Sequence, residues 1–179
     1  SRTDFKQLHA RFQIFFNIFT GLNSIIHQIK NDNTVENATS QELTEAVQAA
    51  LEEEIKAEGE VKTCICDVTK SDNIQNLIDF AKKEFKEIDI WINNAGVNQP
   101  EEPIWDLTEE EIDLVLNVDL KGAIMGSKLV MKEMTNAKKG AIYNVEGYGS
   151  NDAKMLGLSI YGTSKRAITY FTEALAKES

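Results

Sequence analysis

The sequence is poor in cysteine, histidine and proline, with only two of each among its 179 residues. Cys64 and Cys66 are two apart in an apolar stretch, where a strand would direct them to opposite faces, so we expect no disulfide between them. His9 and His27 lack neighbouring residues with metal-ligand spacing. The sequence therefore supports neither a disulfide scaffold nor a metal hydrolase, and we predict no metal site.

Basic residues are also scarce, because 19 Lys and Arg against 29 Asp and Glu give a formal net charge of −10. Nucleic-acid binding depends on neutralising phosphates with basic side chains, so we expect no nucleic-acid partner. Residues 12–26 are rich in Phe and Ile, but Gln13, Asn17 and Asn23 interrupt this stretch below membrane-spanning length. We therefore expect no integral membrane span.

Helical and strand patterns alternate along most of the chain. Thr39 with Glu42, and Thr108 with Glu111, form capping-box patterns that predict two helix starts, and Ser71 is predicted to cap a third helix. The predicted strands are 61–66, 88–93 and 141–145, with a weaker candidate at 33–36; the predicted helices are 39–59, 71–85, 108–134 and 159–177. This alternation is typical of parallel βαβ units. We predict an α/β fold with a Rossmann-like doubly wound parallel sheet, incomplete because such folds have about six strands.

The alternating pattern divides the chain into two regions. Residues 1–32 form an atypical N-terminal segment, predicted to be helical because Phe5, Leu8 and Phe12 begin one broad apolar face. Residues 33–179 form the predicted Rossmann-like core.

Two groups of residues directly follow predicted strands, where an open α/β sheet places its ligand crevice. Asp67 follows the strand at 61–66, although an Asp at this position is more often a turn or cap residue than a ligand group. Asn93, Asn94, Ala95 and Gly96 follow the next strand, and the glycine permits a close backbone approach. Each group alone is also compatible with an ordinary turn.

A third group opens the last predicted helix. Tyr161 and Lys165 are four residues apart and therefore share a helix face. An ammonium beside a phenol stabilises the phenolate and makes the phenol a better acid near neutral pH. Such a pair can pass a proton to or from a carbonyl oxygen. Taken alone, the same spacing is common on amphipathic helices.

Taken together and in this order, the three groups resemble the short-chain dehydrogenase/reductase family. The resemblance covers about residues 33–179 and rests on Cys66-Asp67-Val68, on residues 90–96, on Leu116-Asn117-Val118-Asp119, and on Tyr161 with Lys165. It implies a Rossmann-type domain that binds NAD or NADP and acts on a small-molecule carbonyl substrate.

The resemblance also implies roles for individual residues. Tyr161 would be the general acid/base, with Lys165 making its proton more acidic and holding the nicotinamide ribose. Asn117 would anchor a water in the proton relay, and Ser150 would orient the substrate. The implied cofactor-binding residues are Asp67, which would accept a hydrogen bond from the adenine amino group, with Val68, Asn94, Ala95, Gly96, Tyr161 and Lys165.

Residues 142–150, together with Asp-Ile-Trp-Ile at 89–92, are similar to the chlorophyll(ide) b reductase branch of that family. That branch reduces a formyl group on a chlorin ring with a nicotinamide cofactor. The similarity implies a plastid location; without it, the composition favours the cytoplasm.

The sequence departs from the family at both ends. The family's glycine-rich phosphate-binding turn has no clear counterpart, because Gly21 is the only glycine among the first 58 residues and backbone amides must approach the phosphates there. The matched region also stops directly after the Tyr161 helix, so we expect an incomplete substrate pocket. The alternative function is a non-catalytic or truncated relative that acts as an interaction module, with a homo-oligomer formed through the helices at 108–134 and 159–177. The choice between NAD and NADP stays open.

Overall fold

The computed structural model describes residues 62–154 and 156–178. The predictions for the segment 1–32, the weak strand at 33–36, the helix at 39–59 and the Gly21 turn lie outside the described residues. No helix in the described part is long and apolar enough to cross a membrane.

Four α-helices and two β-strands make up the regular structure of the described residues. The helices are α1 (Ser71–Phe85), α2 (Glu109–Val115), α3 (Ala123–Ala137) and α4 (Ser159–Leu175), and the strands are β1 (Ile90–Asn93) and β2 (Ala141–Asn144). A π-helical segment, Leu116–Gly122, joins α2 directly to α3. The long helix predicted from Thr108 towards Met134 is therefore confirmed, with a change of helical hydrogen bonding in its middle.

Strands β1 and β2 pair in parallel, with Ile90 opposite Ala141 and Asn93 opposite Asn144. Parallel neighbours need a long crossover connection, and here it runs through α2, the π-helical segment and α3. Helix α3 packs against both strands, whereas α4 packs on β2 and on the π-helical segment. The predicted βαβ arrangement is confirmed for these elements.

The predicted strand at 61–66 is wrong for the residues that are described. Residues 62–67 are irregular, and the described sheet contains only β1 and β2. The side-chain pattern of a strand is nevertheless present, because Ile65 is exposed while Cys66 is buried in the core. An alternating pattern shows which side chains face inwards, but a strand also needs a hydrogen-bonded neighbour.

The start of α1 also differs from the prediction. Ser71 is the first helical residue, and the capping position falls on Lys70, whose side chain makes no capping hydrogen bond. The preceding turn is instead held by Asp67, whose Oδ1 accepts hydrogen bonds from the Thr69 amide (2.9 Å) and hydroxyl (2.7 Å). This turn fixes the backbone directly before α1, so the helix begins without a serine cap.

The capping box at Thr108 is confirmed. Thr108 Oγ1 accepts a hydrogen bond from the Glu111 amide at 3.2 Å, and Glu111 Oε2 accepts one from the Thr108 amide at 2.9 Å. Two backbone N–H groups that lack helical partners are thereby satisfied.

The core lies between α1, α3 and the first strand. Helix α1 buries an apolar stripe with helical periodicity, formed by Ile74, Leu77, Ile78 and Ala81. These residues pack in one cluster with Trp91 of β1 and with Val130 and Met134 of α3.

A polar network fixes the carboxyl ends of the two strands. Asn93 Oδ1 accepts a hydrogen bond from Trp91 Nε1 at 2.8 Å. Asn93 Nδ2 donates to Ser127 Oγ at 2.9 Å and to Asn144 Oδ1 at 2.7 Å. Since these bonds join both strands to α3, the loops that leave the strands begin from fixed positions.

Candidate active site

A buried ion pair joins α4 to the π-helical segment. Lys165 Nζ lies 3.0 Å from Asp119 Oδ2, and the two side chains are 7% and 0% exposed. Asp119 Oδ1 accepts a hydrogen bond of 2.7 Å from the Val97 amide. Lys165 therefore contacts the second carboxylate oxygen, Oδ2, as an ion pair. The pair is buried away from solvent, and charges interact more strongly in the protein interior than in water.

Burial raises the pKa of the Asp119 carboxyl above its ordinary value. The Val97 amide and the Lys165 ammonium act in the opposite direction, but their combined effect is smaller than that of desolvation. Burial disfavours the charged form of a carboxyl group, whereas a nearby cation favours it. The charged form of Asp119 is therefore unfavourable in the folded chain, and the Lys165 ammonium offsets part of this unfavourable free energy.

The structure brings the predicted Tyr161 and Lys165 together on the inner side of α4. Lys165 Nζ lies 5.4 Å from the centre of the Tyr161 ring, within the range of a cation–π contact. Gly147 packs against both residues: a Cβ atom at this position would lie 2.5 Å from Tyr161 Oη and 3.1 Å from Lys165 Cγ. The absence of a side chain at Gly147 therefore leaves the space in which the tyrosine hydroxyl lies.

Ser150 belongs to the same turn as Gly147. Its amide donates a hydrogen bond of 3.1 Å to the Gly147 carbonyl, and its own carbonyl accepts one of 2.6 Å from Arg166 Nη1. Arg166 directly follows Lys165 on α4, so the turn is tied to the helix that carries the predicted catalytic pair. Ser150 is buried, and its hydroxyl makes no hydrogen bond with another described residue.

Three of the predicted cofactor-binding residues, from two separate loops, meet in one small cleft. Val68, Asn94 and Ala95 line this cleft together with Gly122 of the π-helical segment. Gly96 continues from the cleft to the ion pair, since a Cβ atom there would lie 3.3 Å from Lys165 Nζ and 3.4 Å from Asp119 Oδ2.

Asp67 serves the local turn before α1. Its Oδ1 binds both the amide and the hydroxyl of Thr69, as described above. An aspartate in a loop often has this role, in which its side chain binds the backbone two residues on. The predicted hydrogen bond from an adenine amino group to Asp67 remains a prediction.

Asn117 and Asp119 both lie on the π-helical segment, and it is Asp119 that contacts Lys165. Asn117 is half-buried, and its predicted role in a proton relay remains a prediction. The sequence contained a signal for Asp119 that we missed. The positions Val115, Val118, Asp119 and Gly122 follow the helical spacing of a buried face, and all four are buried. A single carboxylate on such a face indicates a buried charge that needs a partner.

Other reactive groups in the described part of the chain do not form a site. Cys64 and Cys66 are free thiols, and burial, with smaller effects from Cys64 and Asp67, raises the pKa of Cys66 to about 11. A thiol of this pKa stays protonated near neutrality and is a poor nucleophile. Among the described residues, no group of three or more His, Cys, Asp or Glu side chains is arranged to hold a metal ion.

Comparison with known proteins identifies the family. The sequence profile described as short chain dehydrogenase matches residues 27–179, and so begins slightly before the region of resemblance at 33–179. A probable chlorophyll(ide) b reductase, NYC1, chloroplastic, from Oryza sativa subsp. japonica is 33% identical over 148 residues, covering 79% of this chain and 29% of the rice protein. The chain thus spans less than a third of that relative's length.

Solved structures show the same fold. A metagenomic short-chain oxidoreductase in complex with NADP has a TM-score of 0.68 and 27% sequence identity, covering 73% of this chain and 59% of the other. NAD+-bound xylitol dehydrogenase has the same TM-score and sequence identity, and the match covers 78% of this chain and 52% of the xylitol dehydrogenase chain. The predicted Rossmann-like fold class is confirmed, and NAD(P) as the cofactor is confirmed at the level of the family. The chain belongs to the short chain dehydrogenase family.

Proposed function

We propose that the chain carries the proton-transfer residues of an NAD(P)-dependent carbonyl reductase. The observation that carries this proposal is the packing of Tyr161 and Lys165 around Gly147, with the lysine ammonium near the tyrosine ring and away from solvent. A hydroxyl and a fixed cation in this arrangement suit the transfer of a proton to a carbonyl oxygen.

Each side chain has a separate part in the proposed reaction. Tyr161 donates its phenolic proton to the carbonyl oxygen, and the Lys165 ammonium stabilises the phenolate that remains. Ser150, whose hydroxyl is uncommitted among the described residues, donates a hydrogen bond that orients the carbonyl oxygen. Asp119 holds the ammonium in place and is itself bound to the loop after β1 through the Val97 amide.

The described residues fit one part of a nicotinamide cofactor. Gly96 leaves room for a close approach at Lys165, and Val68, Asn94 and Ala95 line the adjoining cleft. Lys165 would hold the nicotinamide ribose hydroxyls, and Val68, Asn94 and Ala95 would contact the cofactor beside it. When bound, the reduced cofactor supplies a hydride for the carbonyl carbon. Residues 1–61, where the family's phosphate-binding turn would be expected, lie outside the described part.

The substrate we propose is a formyl group on chlorophyll b or a related tetrapyrrole, in a plastid. Two observations support it: the similarity to the rice chlorophyll(ide) b reductase and the exposed apolar side chains around the Ser150 turn. Val145 and Tyr148, which flank Glu146 and Gly147, are 42% and 49% exposed. A large apolar ring system would cover such side chains.

The alternative proposal is a non-catalytic relative that acts through protein contacts, as a homo-oligomer through the long helices. Exposed apolar side chains near α2 favour it. Trp105 is 81% exposed in the loop before α2, and Leu114 on α2 is 51% exposed.

Cofactor and substrate titrations separate the two proposals. The purified chain is titrated with NADH and NADPH by nicotinamide fluorescence and thermal shift, and is then assayed for conversion of the chlorophyllide b formyl group to hydroxymethyl. We expect binding in the micromolar range with one cofactor and formation of the hydroxymethyl product. If the folded chain binds neither cofactor at millimolar concentration, the carbonyl reductase proposal is wrong, and dimer mass by light scattering would support the interaction module.

Gly147→Ala tests the geometry around the tyrosine hydroxyl. The added methyl group would occupy the space of Tyr161 Oη, so the hydroxyl must move away from its position. Because misplacement of a reacting group by about 1 Å can cost on the order of 10²-fold in rate, we expect a fall of about that size in kcat. The assay is steady-state carbonyl reduction, with far-UV circular dichroism to show that the fold is retained. An unchanged kcat would mean that the hydroxyl does not react from this position.

A further inference from the structure

Helix α4 begins without a capping side chain of its own. The capping position is Leu158, which has no polar side chain. The first amides of a helix have no acceptor within the helix and need one from elsewhere. Here the acceptor is Gln99, whose Oε1 receives hydrogen bonds from the Ile160 amide (2.8 Å) and from the Tyr161 amide (2.9 Å).

Gln99 reaches this position from a distant part of the chain. It lies in the loop after β1, 61 residues before Ile160, and it is buried, with 4% of its surface exposed. The same loop provides the Val97 amide that binds Asp119, and Asp119 pairs with Lys165. One short loop segment, 97–99, therefore holds Lys165 through Asp119 and holds the backbone of Tyr161 directly.

We propose that Gln99 is a positioning residue for Tyr161. This inference deepens the proposed function and rests on it. The hydrogen bond from the Tyr161 amide to Gln99 fixes the backbone from which the phenol projects. The loop that carries Gln99 also carries Asn94, Ala95 and Gly96, so the cleft proposed for the cofactor and the proton donor are tied to the same segment.

The oxygen and the nitrogen of the Gln99 side-chain amide differ in their hydrogen bonds. Oε1 accepts both helix amides, whereas Nε2 is buried and has no hydrogen-bond partner within the described residues. The acceptor end alone therefore carries the proposed role. Gln99→Glu keeps the length and the acceptor oxygen, and a helix N-terminus favours a negative charge. Gln99→Leu removes the acceptor while keeping an apolar side chain of similar volume.

The first test measures hydrogen exchange of single amides by NMR. The amides of Ile160 and Tyr161 have no acceptor within α4, so their protection reports directly on Gln99 Oε1. In Gln99→Leu we expect both amides to exchange faster by about tenfold or more, since a lost hydrogen bond of ordinary strength corresponds to roughly that factor. Gln99→Glu should exchange at the wild-type rate. Gln75→Leu is the matched control, because Gln75 is on α1 and its side chain bonds to Asp79, away from α4.

The second test separates positioning from binding. In Gln99→Leu we expect kcat for carbonyl reduction to fall by roughly 10- to 100-fold, since the proton donor loses its orientation, with little change in cofactor affinity. Gln99→Glu should recover most of the kcat, and Gln75→Leu should keep the wild-type value.

Either of two results would overturn the inference. One is unchanged exchange of Ile160 and Tyr161 in Gln99→Leu, and the other is an equal loss of kcat in Gln99→Glu and Gln99→Leu. Wild-type chain that reduces no carbonyl compound would contradict the proposed function instead. In that case the exchange rates alone decide whether Gln99 fixes the backbone of Tyr161.

Discussion

Replacing Tyr161 by Phe is expected to lower the turnover of carbonyl reduction by on the order of 10²- to 10⁴-fold, the usual contribution of a general acid. The substitution removes only the hydroxyl that lies against Gly147 and leaves the ring beside Lys165 Nζ. Because no contact of the cofactor cleft changes, NADH and NADPH should bind as in the wild type. Steady-state kinetics and nicotinamide fluorescence on the same samples measure the two quantities.

Tyr170→Phe is the matched control for this experiment. Tyr170 is also on α4, but 76% of it is exposed and it lies on the opposite side from the ion pair. Its loss of a hydroxyl should leave kcat unchanged. Wild-type turnover in Tyr161→Phe would remove Tyr161 from the mechanism, whereas equal losses in both variants would indicate a general effect on the helix.

Replacing Lys165 by Met is expected to destabilise the fold by about 3 to 5 kcal/mol at neutral pH, the usual cost of breaking a buried ion pair from one side. Asp119 is completely buried, and Lys165 is the cation that contacts it. Without that cation the carboxylate keeps the Val97 hydrogen bond but must otherwise remain charged away from solvent. Urea denaturation followed by circular dichroism measures the difference in the free energy of unfolding.

The loss of stability in Lys165→Met is expected to depend on pH. The pKa of Asp119 in the folded chain is already raised by burial, and removing the ammonium should raise it further. A group with a raised folded pKa contributes stability below its unfolded pKa and loses that contribution as the pH rises through its folded pKa. Lys165→Met should therefore be close to wild-type stability in mild acid, with the difference growing towards neutral pH.

Lys82→Met is the surface control for the Lys165 variant. Lys82 pairs with Glu133, but 42% of its side chain is exposed to solvent. Pairs of this kind contribute little to stability because water and salt screen the charges. A loss in Lys82→Met as large as in Lys165→Met, or a loss in Lys165→Met that does not depend on pH, would contradict the role of Asp119.

Features that depend on neighbours along the chain were predictable from the sequence. The buried stripe of α1 follows from helical periodicity at Ile74, Leu77 and Ile78. The capping box follows from the three-residue spacing of Thr108 and Glu111. In each case the interacting residues lie within one or two helical turns, so local spacing is enough to place them.

The candidate site was predictable only in part. Tyr161 and Lys165 share a face because they are four apart on one helix, and the structure brings them together. Sequence reasoning gave Asn117 a role in the proton relay and gave none to Asp119, the residue that contacts the lysine. The helical spacing of Val118, Asp119 and Gly122 indicated that Asp119 is buried, but the cation that pairs with it was not visible in the sequence.

The sequence by itself determined the α/β class, the start of α2 at the Thr108 capping box, and the spacing of the tyrosine and the lysine. The tertiary structure decided that 62–67 is irregular rather than a strand, that Asp119 is the counter-ion of Lys165, and that Gln99 caps the helix of Tyr161. The physical reason is distance along the chain. A strand needs a neighbouring strand, a buried cation needs an anion, and a helix end needs an acceptor, and here each of these partners is chosen by packing between segments far apart in sequence.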